Sequence, residues 1–196
     1  SHFALWKNYL VAGVGAVIMT DYALQVRATV CVLDREQAAY RAVVDDATAR
    51  GEIPRAIAVP LWPGDSDWSS IYQYYSTLYR LRLVNGYSPV VTEEYFKNVF
   101  RQFESLNQGF ITAEQVRNLA EMDVGYVLVH ENAFPEKVSP FPVRVTIDRL
   151  MDHPSFVLLA RAGEVWAFRV LPDAADPGFL QEPKDKVYCL AADRIV

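Results

Sequence analysis

A nearly unbroken apolar run at residues 124–130, Val-Gly-Tyr-Val-Leu-Val-His, constrains the fold of this chain more than any other feature. A strand with one solvated face alternates apolar and polar side chains, whereas a continuous apolar run is typical of a strand that is covered on both faces. Parallel sheets with helices on both sides provide that environment. The run therefore predicts an α/β domain with this strand near the centre of its sheet.

Strand and helix patterns alternate along the rest of the chain. Short apolar runs predict strands at 27–33 and 55–61, and Asp34 is expected to cap the helix between them. Further helices are predicted over 68–81, after Thr92, after the capping box Thr112–Gln115 and over 143–151, and a hairpin joins 156–160 to 165–170. Together these patterns predict a three-layer α/β domain with parallel central strands, flanking helices and a C-terminal antiparallel hairpin.

The amino end is apolar and carries no charge from residue 8 to residue 20. A helix that spans a bilayer needs about 20 apolar residues, so this run is too short by itself. Two interpretations stay open: residues 1–22 are the end of a truncated membrane helix, or they are the first core segment. Residues 23–196 are expected to form a single α/β domain.

Composition excludes several classes of function. The 196 residues are 52% hydrophobic and have a net charge of −5, and no basic stripe is visible, so no nucleic-acid partner is expected. Glycine-rich phosphate loops, nucleophile elbows and histidine pairs at metal spacing are missing from the sequence, which predicts neither a cofactor nor a metal. Cys31 and Cys189 are two free thiols or one bridge.

The most polar candidate site follows the strand predicted at 55–61. Ligands of open α/β sheets collect at the carboxyl ends of parallel strands, and Asp65, Ser66 and Asp67 could accept hydrogen bonds from sugar hydroxyls there, with Trp62 or Trp68 stacking on a ring face. The structural alternative is that this stretch only caps the next helix. Likewise, His130 lies where a functional histidine would lie, but a structural role is the competing interpretation.

Three stretches, in this order, carry a resemblance to a known family. They are Pro63-Gly64-Asp65, the aromatic helix with Tyr74-Tyr75-Ser76, and Leu83-Val84-Asn85-Gly86-Tyr87-Ser88; a helix with Tyr95 and the strand 124–130 follow them. This arrangement resembles the extracytoplasmic C-terminal soluble domain of multi-pass bacterial membrane proteins of the GT-C glycosyltransferase type. The resemblance covers residues 27–171. It departs from the family pattern in the aromatic helix, where Tyr79 and Arg80 stand in place of a histidine.

The resemblance implies a location and a role. In that family the catalytic acidic residue lies upstream, between membrane helices, so this chain would contain no catalytic residue. It would be a periplasmic domain whose partner is the membrane-embedded remainder of the same chain, and it would contact oligosaccharide or the glycosylation acceptor. The candidate substrate-binding residues are then Asp65, Ser66, Asp67, Trp68, Tyr75, Asn85, Tyr87 and His130.

Two alternatives come from other classes of protein. One is a stand-alone soluble hydrolase that uses Asp65, Asp67 and His130. The other is an interaction module, since 13% aromatic residues is enough to anchor an interface.

Overall fold

The computed structural model describes residues 2–25, 33–63, 66–86, 91–136 and 138–172. Two compact units divide the chain, Ser1–Asp34 and Arg35–Val196. The strand predicted at 27–33, both cysteines and the tail after residue 172 lie outside the described residues. Helices and strands in chain order are α1 His2–Gln25, α2 Ala38–Ala49, β1 Arg55–Val59, α3 Asp67–Tyr79, β2 Arg82–Leu83, α4 Glu93–Tyr95, α5 Arg101–Phe103, α6 Ala113–Glu121, β3 Tyr126–His130, α7 Val143–Asp152, β4 Phe156–Ala162 and β5 Val165–Val170.

The first unit is described by the helix α1. Its large apolar side chains are exposed at Trp6, Tyr9, Leu10, Val11, Val14, Val17, Ile18 and Met19. No helix in the described part of the chain combines the length and the apolar character that crossing a membrane requires.

The second unit is built on a five-stranded sheet in the order β2-β1-β3-β5-β4. Strand β1 pairs in parallel with β2 and with β3, while β5 runs antiparallel to β3 and to β4. The hairpin between β4 and β5 turns at Gly163, whose φ is +57°. Parallel central strands with a C-terminal antiparallel hairpin are the architecture that the sequence predicts.

Alternate side chains of the central strands enter two apolar layers. Ala56, Tyr126 and Leu128 face a layer that includes Ala39, Tyr40, Val43 and Ala47 of α2. Ile57 and Val127 face the opposite layer, which includes Phe103, Val116 of α6 and Leu150 of α7. All five residues of β3 are buried, as the continuous apolar run predicts. The fold is therefore a three-layer α/β sandwich with helices on both faces of the sheet.

Helix α2 begins later than the sequence predicts. Asp34 does not cap it; the cap is Gln37, whose side-chain oxygen accepts a hydrogen bond from the Ala39 amide at 3.2 Å. The Tyr79 hydroxyl accepts from the Gln37 amide at 2.7 Å and donates to the Arg35 carbonyl at 3.2 Å. A partner 42 positions away in the sequence thus binds the backbone just before α2 and fixes where the helix begins, which local capping rules do not anticipate.

The helix predicted after Thr92 is irregular. Thr92 caps α4, which continues as a π-helical turn over Phe96–Phe100, then as α5, and then as a 3-10 turn over Glu104–Gln108. We call residues 93–108 the irregular helix. A π turn adds one residue to a helical turn and rotates the side chains that follow it, and such turns are frequent at functional sites.

Candidate functional site

The polar loop after β1 lies at the carboxyl end of the parallel strands, as predicted. Ser66 is the N-cap of α3, and its hydroxyl accepts a hydrogen bond from the Trp68 amide at 3.3 Å. Asp67 is exposed in the first turn of that helix, where a carboxylate complements the helix dipole. Trp68 is half-buried against an apolar cluster that contains Trp62 and Tyr72. Asp65 lies outside the described residues.

Trp62 adds a buried donor beside that loop. Its side chain is 8% exposed, and its indole N–H has no hydrogen-bond partner among the residues that the structure describes. Buried donors are almost always paired, so a bound water or ligand is the usual explanation for such a group. The sequence predicts Trp62 only as a ring that stacks on a sugar, and it gives no indication of the buried N–H.

Asn85 is held against the backbone of β1. Its side-chain oxygen accepts from the Ala58 amide at 2.8 Å, and its side-chain nitrogen donates to the Ala58 carbonyl at 2.6 Å. The side chain is 4% exposed. It therefore extends the hydrogen bonding of β1 beyond the end of the two-residue strand β2. Tyr87, the other candidate in this stretch, lies outside the described residues.

A second asparagine binds the same chain segment in the same manner. Asn107 accepts from the Leu61 amide at 2.7 Å and donates to the Leu61 carbonyl at 2.9 Å. Asn107 is not among the candidates that the sequence indicates. An asparagine before a glycine signals a turn, but Asn107 stands two residues before Gly109, and no local pattern indicates which distant backbone its amide will bind.

His130 and Tyr75 belong to one buried aromatic cluster. His130 Nε2 lies 2.9 Å from the Tyr40 hydroxyl oxygen, and its ring centroid lies 4.5 Å from that of Tyr72. Tyr75 packs against Tyr40 with the ring centroids 5.1 Å apart. We call Tyr40, Tyr72, Tyr75 and His130 the tyrosine–histidine cluster.

Burial keeps the groups of this cluster uncharged. His130 is 1% exposed, and the loss of hydration lowers its pKa from 6.5 to about 3. Burial also raises the pKa of the Tyr40 hydroxyl well above its usual value, and the neighbouring Tyr72 and Tyr75 add to that shift. At neutral pH the pair is thus a hydrogen bond between two neutral side chains.

Tyr72 connects the loop to this cluster. Its hydroxyl donates to the Pro60 carbonyl at 3.3 Å, and its ring contacts that of His130. The candidates Ser66, Asp67 and Trp68 are partly or fully exposed, while Tyr75 and His130 are buried around Tyr40. No group of three or more His, Cys, Asp or Glu residues that could hold a metal ion occurs within the described ranges.

An open groove of about 530 Å³ lies between the irregular helix and α6. Tyr95 lines it, and the Tyr95 hydroxyl donates to the Trp62 carbonyl at 3.2 Å, so the groove adjoins the loop that follows β1. Burial raises the pKa of Tyr95 to about 12. The polar lining of the groove consists of Thr92, Glu94, Asn98, Gln102, Asn118 and Glu121, and its apolar lining consists of Val84, Val99 and Met122. None of these residues was a sequence-based candidate, since polar positions on amphipathic helices are usually solvated.

A second concave region, of about 520 Å³, lies at the opposite end of the parallel strands. It contains Arg50, Arg55 and Arg82. Arg50 pairs with Glu52 at 2.7 Å, and the Arg55 guanidinium donates to the Met122 carbonyl at 2.7 Å. Two of its three cations are therefore engaged within the domain.

Comparison with known proteins gives one structural likeness. No protein-family model matches the sequence, and no curated protein matches it. The fold is similar to the crystal structure of the C-terminal globular domain of oligosaccharyltransferase from Archaeoglobus fulgidus, with a TM-score of 0.43 and 13% sequence identity. The match covers 72% of this chain and all of that one. At this identity and TM-score, the likeness assigns neither a family nor an activity to the chain.

Proposed function

We propose that this chain is the extracytoplasmic domain of a membrane-embedded glycosyltransferase-like protein. It contacts the sugar or the glycosylation acceptor, and the transfer reaction takes place in the membrane-embedded remainder of the same protein. The chain then lies on the periplasmic side of a bacterial membrane.

One observation carries the proposal. Two of the sequence stretches that carry the family resemblance, the one that begins at Leu83 and the one that begins at Val124, pair with the same residue of β1 from opposite sides. Ala56 is in register with Leu83 of β2 and with Tyr126 of β3. Motifs about 40 positions apart therefore meet around the strand whose carboxyl end leads into the polar loop, which is where ligands of such sheets collect.

The loop offers groups that suit a hydroxylated ligand. Asp67 presents an exposed carboxylate, Trp62 supplies a buried N–H without a partner in the described structure, and Trp68 provides a half-buried ring. Carboxylates accept from sugar hydroxyls, and aromatic rings pack on the apolar faces of sugars.

The burial of His130 argues against the hydrolase alternative. That alternative needs His130 to exchange a proton with a substrate, but the ring is 1% exposed and enclosed by Tyr40 and Tyr72. A general base needs hydrogen-bond reach to the proton that it abstracts and a pKa near the working pH. His130 has neither.

Helix α1 supports the membrane-embedded partner. Apolar side chains such as Trp6, Val11, Val14 and Ile18 are exposed in the described structure. A helix that is apolar over most of its circumference is normally buried in a protein or in a membrane. Lipid or the helices of the membrane-embedded remainder would cover these side chains.

Titration of the 196-residue chain with neutral oligosaccharides, followed by tryptophan fluorescence, tests the sugar contact. We expect a saturable change in emission that persists in Trp166→Phe and is lost in Trp68→Phe. Asp67→Asn should weaken binding about tenfold, because it removes one charge-assisted hydrogen bond. It should lower the free energy of unfolding by less than about 1 kcal/mol, because it also removes a charge that complements the helix dipole. No change in emission at millimolar sugar, or equal binding by Asp67→Asn, would contradict the sugar contact.

A further inference from the structure

We propose that the groove between the irregular helix and α6 is a binding site for an uncharged saccharide. This inference deepens the proposed function, on which it rests, because it assigns the sugar to particular side chains outside the loop that the sequence indicated.

The negative charge of the groove favours an uncharged ligand over an anionic one. Glu94 and Glu121 line it, and no Lys or Arg is among the described residues that do. Two cations of the irregular helix are engaged elsewhere: Lys97 pairs with Glu93, and Arg101 pairs with Glu104 at 3.3 Å. The exposed Arg117 of α6 and Arg82 of β2 lie near the groove in sequence but are not among the residues that line it. Two carboxylates without a compensating cation repel phosphorylated or acidic sugars.

The lining has hydrogen-bonding capacity that the protein does not use. The side chains of Asn98, Gln102 and Asn118 make no hydrogen bond to the described part of the chain, and neither do those of Glu94 and Glu121. Each amide offers two donors and an acceptor, and each carboxylate offers only acceptors. Sugar hydroxyls both donate and accept, so they can satisfy amides and carboxylates together.

Apolar residues complete the site. Val84, Val99 and Met122 lie among these polar groups and give the groove a surface for the C–H face of a sugar ring. The volume of about 530 Å³ lies in the range of roughly 300–1,000 Å³ that small-molecule sites occupy.

The two walls of the groove are joined by one side chain. Gln115 of α6 donates from its side-chain nitrogen to the Gln102 carbonyl at 2.5 Å and to the Ser105 hydroxyl at 3.0 Å. Its side-chain oxygen accepts from the Thr112 amide at 2.8 Å. The backbones that carry Asn98, on the π turn of one wall, and Asn118, on the other wall, are thereby held together before a ligand arrives, which reduces the entropy cost of binding.

The groove can be tested by NMR on the isotope-labelled 196-residue chain. The side-chain amide signals of Asn98, Gln102 and Asn118 are followed while methyl glucoside, methyl mannoside, methyl N-acetylglucosaminide and diacetylchitobiose are added, each up to tens of millimolar. Glucose 6-phosphate serves as the anionic probe. We expect at least one neutral probe to shift these signals in a saturable manner and the phosphate to leave them unchanged.

Substitutions in the groove test which side chains bind the sugar. Asn98→Ala and Asn118→Ala should each weaken the binding about tenfold, the effect of losing one or two hydrogen bonds to a ligand. Asn132→Ala, at an exposed position outside the groove, should bind as the parent chain does. If a substitution unfolds the chain, Glu94→Gln replaces it, and this change should relax the exclusion of glucose 6-phosphate.

Three results would overturn the inference: no neutral probe shifts the three amide signals, the asparagine variants bind as tightly as the parent, or glucose 6-phosphate binds as tightly as the neutral probes. No tryptophan is among the described residues that line the groove. A failure of the groove proposal can therefore be separated from a failure of the proposed function. If a sugar changes tryptophan emission but leaves the amide signals in place, only the groove is wrong. If neither readout responds, the sugar contact itself is wrong.

Discussion

At the scale of single residues, His130 ends a central parallel strand, which is where a catalytic histidine would lie. Its ring is nevertheless buried against Tyr40 and Tyr72, with the Tyr40 hydroxyl oxygen 2.9 Å from Nε2, and this burial lowers its pKa to about 3. In the unfolded chain the imidazole titrates near 6.5. Between these two pH values the unfolded state binds the proton and the folded state does not, so stability falls as the pH falls.

We expect this difference to appear in acid unfolding. From about pH 6.5 down to about pH 3, His130 lowers the free energy of unfolding by up to about 1.4 kcal/mol per pH unit. Urea unfolding at several pH values should show that slope in the parent chain and a shallower slope in His130→Gln. Tyr40→Phe, which leaves the imidazole buried, should keep the slope. Equal slopes in the parent and in His130→Gln would show that His130 is solvated.

Asn85 gives a second prediction at this scale. Asn85→Ala leaves the buried Ala58 amide and carbonyl without their partner, and each unsatisfied group costs about 1–3 kcal/mol. We expect a loss of about 2–4 kcal/mol in the free energy of unfolding by urea. The exposed Asn132→Ala is the matched control and should change stability by less than about 0.5 kcal/mol. Unchanged stability of Asn85→Ala would free Asn85 for the ligand contact that the family resemblance implies.

At the scale of elements, Gln115 does more than a capping residue does. The sequence predicts the Thr112–Gln115 capping box, and the structure confirms it. The bonds from Gln115 to Gln102 and Ser105 join two elements, and no pattern within α6 indicates them.

Two alanine variants separate the stability that the capping box contributes from the stability that the bonds between α6 and the irregular helix contribute. Thr112→Ala removes one cap bond and should cost about 1 kcal/mol. Gln115→Ala also removes the bonds to the irregular helix and should cost about 2–3 kcal/mol. Thermal unfolding measures both, with the exposed Glu114→Ala as control. Equal losses of stability for Thr112→Ala and Gln115→Ala would show that the bonds from Gln115 to the irregular helix do not stabilise the domain.

Gly109 shows a constraint of another kind, because it ends the irregular helix with φ at +75°. A Cβ atom there would lie 2.6 Å from the Thr146 carbonyl oxygen and 2.9 Å from the Arg149 Cβ atom. Gly163 also has a positive φ, but a Cβ atom at that position meets nothing within 4 Å.

The two glycines form a matched pair. Gly163→Ala carries only the cost of the left-handed conformation, about 1–2 kcal/mol. Gly109→Ala adds a steric clash against α7 and should cost at least about 2 kcal/mol more, the range of overpacking in a closed interior. Chemical unfolding of both variants measures the difference. Equal costs would show that α7 does not pack closely on this turn.

Comparison of sequence and structure shows where local patterns suffice. Apolar periodicity predicts the central strand β3, the hairpin and α7, because burial on both faces or on one face leaves a readable pattern. It does not define the buried face of α3, where Ser69, Tyr72 and Tyr75 are buried and the apolar Leu78 is 44% exposed. Tyrosine has an apolar ring and a polar hydroxyl, so the periodicity of apolar residues does not show which tyrosines of α3 are buried. The asparagine–backbone bonds and the groove depend on contacts between distant segments, and local sequence therefore does not reveal them.

At the scale of the whole molecule, the proposed sugar contacts lie at two neighbouring positions. The loop after β1 and the groove adjoin through the hydrogen bond from the Tyr95 hydroxyl to the Trp62 carbonyl. Neither position holds a described histidine or a metal-binding cluster. The central claim is the proposal that the transfer chemistry belongs to a membrane-embedded part of the same protein.

The size and location of the native protein test that claim most directly. An antibody raised against the 196-residue chain is applied to fractionated cells that express the intact gene. We predict one band in the membrane fraction that resists an alkaline wash and has a mass well above the 22.2 kDa of this chain. A band of that smaller mass in the aqueous fraction would contradict the account.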